Sequence, residues 1–241
     1  MLIYDKNWDQ WSDMKEIGPA SCWLRYLIYE HIKGIEALGV KSILDVGCGQ
    51  GCNTYYLAKY LPKANVIGID FSDTGIKTAQ QRYHSPNLKF YADLTSSKLT
   101  SSFDLITCFE VLEHVDDWQG LLGRIASAST SYVMLSFPVG RMRPFEVNVG
   151  HVRNFKVGEV ENFMSENGFE QISIFYAGFP FYNPLYRDIC NITNAANNSF
   201  TKGEYGSSQR IVSSLIYLSF RYGSTKRRFG DQFCGLFRRS N

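Results

Sequence analysis

The 241-residue chain lacks several features, and each absence narrows what it can be. It has no CxxC pair: its six cysteines, Cys22, Cys48, Cys52, Cys108, Cys190 and Cys234, are scattered. Cys48 and Cys52 stand four apart, but no histidine or further cysteine has the spacing to complete a zinc site, so no metal is expected. Long apolar runs are also missing. The best stretch, Ile211 to Phe220, is too short to span a bilayer, and the opening MLIYDKNWDQWSD has neither a basic leader nor an apolar core. A cytoplasmic protein is the expectation. Charge of one sign is scarce as well, with a net +2, which argues against nucleic acid as the partner. Only residues 210–241 are clearly basic, with seven Lys or Arg against Asp231 alone. That tail suits solvent, an anionic small molecule or peripheral contact with a membrane surface.

What the chain does have is concentrated in SILDVGCGQGCN, residues 42–53. Ile43, Leu44 and Val46 read as a buried central strand. Gly47, Gly49 and Gly51 allow a sharp turn and close approach to a ligand, and a helix from Thr54 to Leu61 follows, stopped by Pro62. Strand, glycine loop and helix also open dinucleotide-binding folds, but those place a third glycine where this chain has Cys52. Asp45, at the strand's carboxyl end, would repel a pyrophosphate and welcome an ammonium. A second strand, Asn65 to Ile69, ends at Asp70, whose carboxylate can accept from both hydroxyls of a ribose. The ligand expected is a nucleoside that bears an amino acid.

These residues resemble the class I S-adenosylmethionine-dependent methyltransferases, small-molecule type. The matching blocks are Leu44 to Gly51, Ile67 to Ser72, Phe90 to Leu94, and Phe103 to Ile106 followed by Phe109 to Val115. The resemblance implies a Rossmann-like, doubly wound α/β sheet of seven strands in the order 3-2-1-4-5-7-6, with strand 7 antiparallel. It implies S-adenosylmethionine as cofactor and S-adenosylhomocysteine as product. Asp45, Gly47, Gly49, Gln50 and Gly51 would then form the cofactor loop, and Asp70 would take the ribose. Phe71 would lie along ribose and adenine, Asp93 and Leu94 would meet the adenine edge, and Phe109 and Glu110 the methionine end.

The remaining chain divides around that core. Residues 1–39, with a helix from about Ala20 to Ala37, are expected as an N-terminal cap; 40–176 as the cofactor-binding core; 177–230 as an insertion roofing the substrate pocket; 231–241 as the last strand. Asp116 is the expected cap of the helix that runs to Ala128. Methyl transfer from a sulfonium needs in-line positioning and, for a hydroxyl or amine, a proton acceptor. His114 and His151 are the candidates. Arg141, Arg143 and Arg153 could clamp an anionic acceptor, and Tyr182 offers an aromatic face. The acceptor is expected to be a small molecule, with a sugar or a lipid- or nucleotide-linked intermediate of surface-polysaccharide assembly as one candidate. An RNA or protein methyltransferase and a non-catalytic cofactor-binding subunit are the rival readings.

Overall fold

Short β-rich runs alternate with amphipathic stretches, and in the computed structural model, which describes residues 12–35, 39–93, 101–193 and 203–240, they form one seven-stranded sheet. The strands are β1 (Ser42–Val46), β2 (Asn65–Asp70), β3 (Leu88–Ala92), β4 (Phe103–Phe109), β5 (Ser129–Pro138), β6 (Phe169–Ala177) and β7 (Gln232–Arg239). Their order is β3-β2-β1-β4-β5-β7-β6, as expected. The first five are parallel, and β7 lies antiparallel between β5 and β6.

Successive residues of a strand face opposite sides, so the central strands feed two cores. On one side Leu44, Val46, Ile106, Val133 and Leu135 pack with Leu122 and Ile125 of α5 (Trp118–Ala128) and with Val160 and Met164 of α7 (Glu159–Glu166). On the other, Ile43, Leu105, Met134 and Leu236 meet Leu27 and Ile28 of α2 (Pro19–Ile32) and Leu57 of α3 (Cys52–Tyr60). A short α1 (Ser12–Ile17) precedes α2, and α4 (Asp73–Arg82) follows β2.

Several expectations need correcting. The N-terminal helix ends at Ile32 rather than Ala37. Asp117, not Asp116, caps α5, its carboxylate accepting from Gly120 N at 2.9 Å. The described part of the 177–230 insertion is helical: a kinked turn (Phe181–Tyr186), α8 (Arg187–Ile192) and α9 (Ser207–Gly223). Phe220 of α9 meets Trp23 of α2 with ring centroids 6.4 Å apart, and Tyr182 at 5.4 Å. The insertion and the N-terminal helices therefore share one core. Tyr182, expected at the acceptor, is buried there, and its hydroxyl lies 3.2 Å from Gln232 Oε1. Among the described residues, no helix is long and apolar enough to cross a membrane.

Candidate active site

Strands β1, β2, β4 and β5 end on the same edge of the sheet, and the candidate residues collect there. In the loop after β1, Gly47, Gly49 and Gly51 have φ of 74°, 55° and 82°, a region that favours glycine. Gly47 N and Cys48 N donate to Ile69 O at 2.8 and 2.9 Å, which ties the loop to β2. A Cβ on Gly47 would stand 2.3 Å from Val111, and one on Gly51 2.7 Å from the Phe90 ring. At these two positions glycine is required by the protein's own packing.

Asp45 lies beneath the loop, buried. Its two oxygens accept from Thr54 Oγ1 at 2.6 Å and Thr107 Oγ1 at 2.7 Å. Burial raises its pKa to about 6 against those two hydroxyls. The carboxylate expected to welcome a ligand ammonium is thus turned to two threonine hydroxyls and away from solvent. Asp70 accepts from Gly49 N and Ser72 N, both at 2.8 Å, and fixes the loop's second glycine against the tip of β2. Gln50 is buried, whereas Phe71 is 41% exposed beside Asp70. Asp93 N donates to the Asp70 backbone O at 2.9 Å, which sets the backbone just after β3 beside the tip of β2. Leu94 lies outside the described residues.

At the end of β4, Phe109 is buried and Glu110 takes a left-handed φ of 55°. Glu110 Oε1 is held at 2.8 Å by both Ser136 Oγ and Gln232 Nε2, donors on β5 and β7. Burial pushes its carboxyl pKa upward. A 3₁₀ turn, Leu112–His114, follows. Val152 N donates to Glu113 O at 2.9 Å, and His114 Nδ1 lies 2.9 Å from Gly150 O, so the loop after α6 (Pro144–Asn148) is laid over this turn. The His114 and His151 rings then meet edge to face, with centroids 4.6 Å apart. Both histidines have lowered pKa values: burial is the main cause for each, and His151, facing His114, falls to about 3. They stay neutral at pH 7, and His151 holds a proton only weakly.

The arginine clamp is not assembled. Arg143 is buried, and its guanidinium is taken by Asp188 (2.7 Å), Asp231 (2.9 Å) and Asn183 (2.6 Å). Arg141 pairs with Asp188 at 2.9 Å, and Arg153 donates to Asp116 O at 2.9 Å. Ser136 and Gln232 hold the Glu110 carboxylate, and Thr54 and Thr107 that of Asp45, contacts that the sequence did not reveal. Gln232 lies 122 residues from Glu110, and no local pattern joins them.

The site has the elements a nucleoside cofactor with an amino-acid arm requires. They are a glycine-capped helix start at α3 whose cap has no side chain to occupy the first N–H groups, a carboxylate at the tip of β2, and an exposed aromatic face beside it. The fold is a doubly wound α/β sheet with these residues gathered at one edge. Residues 44–131 match the family described as a methyltransferase domain, and the seven-stranded fold is shared with solved methyltransferase structures.

The chain is 36% identical over 118 residues to a ubiquinone biosynthesis O-methyltransferase of Nitrosomonas europaea, covering 46% of this chain and 47% of that one. It is 33% identical over 155 residues to the enzyme of the same name from Coxiella burnetii, covering 61% and 59%. The match thus spans about half the length of such relatives. Among solved structures, the magnesium protoporphyrin IX methyltransferase of Synechocystis PCC 6803, with bound S-adenosylhomocysteine, superposes with a TM-score of 0.60 at 17% identity, covering 94% of this chain and 86% of that one. A plantazolicin methyltransferase complex gives 0.57 at 16% identity, covering 99% and 89%.

Proposed function

We propose that the chain is an S-adenosylmethionine-dependent O-methyltransferase of a small molecule. The observation that carries this reading is the Gly49–Asp70 bond at the tips of β1 and β2 within a matched methyltransferase domain. Asp70 and Phe71 would hold the nucleoside, and the loop of Gly47 to Gly51 and the end of β4 at Phe109 and Glu110 would hold the amino-acid arm. The bound cofactor supplies a methyl group on a sulfonium, a good leaving group. The chain's own part is to hold an acceptor oxygen in line and to ease the loss of its proton. His114 and His151 are the side chains this reading offers for that step, with His151 the weaker base.

The relatives are named as O-methyltransferases of ubiquinone biosynthesis, which favours a hydroxyl on a quinone-related small molecule as the acceptor over a sugar. Tyr182, the aromatic face expected at the acceptor, is buried.

Calorimetric titration with S-adenosylmethionine and, separately, with a nicotinamide dinucleotide tests the reading. Micromolar binding of the former alone is expected, with Asp70→Ala weakening it at least tenfold and S-adenosylhomocysteine accumulating when hydroxylated aromatic acceptors are added. Binding of neither ligand, or Asp70→Ala with unchanged affinity, overturns it.

A further inference from the structure

Glu113 poses a problem that the cofactor site does not solve. Its side chain is fully buried, and neither carboxylate oxygen has a hydrogen-bond partner. Burying such a group alone costs several kcal/mol, so an ionisable side chain kept there calls for a counter-charge or a proton. Burial, together with the neighbouring Glu110, drives its pKa well upward.

The groups facing it are imidazoles. His114 Nε2 lies 4.0 Å from Glu113 Oε1, too far for a hydrogen bond. His151 Nδ1 is buried and likewise has no partner. One ligand atom each from Glu113, His114 and His151 lie within 4.8 Å of one another.

The His114 ring is oriented as a metal ligand is. Its Nδ1 faces Gly150 O, and a carbonyl oxygen can only accept, so in the neutral ring Nδ1 carries the hydrogen and Nε2 the lone pair. Metal-bound histidines are commonly fixed in this way by a backbone carbonyl. Two neutral imidazoles and a carboxylate on one side of an ion, with the other positions open, form a donor set suited to first-row divalent cations.

We propose that Glu113, His114 and His151 bind one divalent first-row transition cation. Donors around an ion with bonds of about 2.0–2.2 Å lie roughly 3.4 Å apart, so the three close in by about an ångström on binding. The ion supplies the positive charge that Glu113 lacks. Its role in turnover rests on the O-methyltransferase reading. An acceptor hydroxyl on an open coordination position releases its proton to water; the oxygen–carbon bond then forms as the sulfur–carbon bond breaks, leaving a neutral thioether. This assigns acceptor activation to the ion.

The test uses untagged full-length protein, dialysed against chelator and titrated with Co²⁺ while visible absorption is followed. The wild type, Glu113→Gln and His151→Asn are compared, each also titrated calorimetrically with S-adenosylhomocysteine. One Co²⁺ per chain with ligand-field bands is expected, weakened about a hundredfold or more in each variant, with nucleoside affinity unchanged within twofold. Should Glu113→Gln lose nucleoside binding through misfolding, His151→Asn, altered in the loop after α6, decides alone. No Co²⁺ binding by the wild type, or equal affinity in His151→Asn, overturns the proposal. Co²⁺ bound by a wild type that ignores the nucleoside would leave the metal site standing and remove the methyltransferase reading instead.

Discussion

At Gly47 two demands fall on one residue. Its φ of 74° strains any side chain, and the space a Cβ would take is filled by Val111. Gly47→Ala is therefore expected to destabilise the fold by about 2–4 kcal/mol, combining left-handed backbone strain with overpacking. Urea denaturation measures this, and adding Val111→Ala should restore only the packing share. The loop's glycines were legible because φ and spacing are local properties. What they were for was only half legible: at Gly47 and Gly51 the glycine answers to Val111 and Phe90, which are distant in sequence. Burial was equally hidden. Nothing in the string separates Arg143, locked among carboxylates, from Arg141, which is exposed.

On α2, His31 joins the helix to β7. Its Nε2 lies 3.1 Å from Cys234 O, and its ring packs on Phe175 with centroids 4.1 Å apart. Burial lowers its pKa from 6.5 to about 4. Between those values the unfolded chain binds the proton and the folded chain does not, so this residue's contribution is complete above pH 6.5 and is lost as pH falls toward 4. The loss amounts to about 3 kcal/mol. Asp45, raised to about 6, works in the opposite sense over part of this range, so the wild-type profile mixes the two. The difference between wild type and His31→Gln isolates the histidine: it should shrink steadily from pH 7 to pH 4, and a constant difference would refute the assignment. The α2 stripe of Trp23, Leu27 and Ile28 was readable from its periodicity. That it packs against α9 as well as the sheet was not, because Phe220 lies about two hundred residues away and its partner helix belongs to an insertion.

Across the whole molecule, the insertion, the loop after β5 and the start of β7 are joined by one buried ionic cluster. Arg187 pairs with Glu146 and, at 2.8 Å, with Asp231, which also holds Arg143. Removing one member leaves charge buried without its partner, so Arg187→Met should cost about 3–5 kcal/mol in equilibrium unfolding. A loss below 1 kcal/mol would mean that the three segments are held by their apolar contacts alone. The sheet order was legible because the four motif blocks follow one another in the sequence. This cluster was not, since its charges come from three separated segments.

The placement of β7 has a consequence for how the chain acquires its shape over time. The strand between β5 and β6 is the last in sequence, so until residues 232–239 are available, β5 and β6 each keep an edge open and Gln232 cannot reach Glu110. A chain still being synthesised can pair its five parallel strands but not seat the turn that carries Glu113 and His114 beside a settled Glu110. Competence would then arrive late and in a single step, with two exposed sheet edges as the period of greatest risk of misassociation.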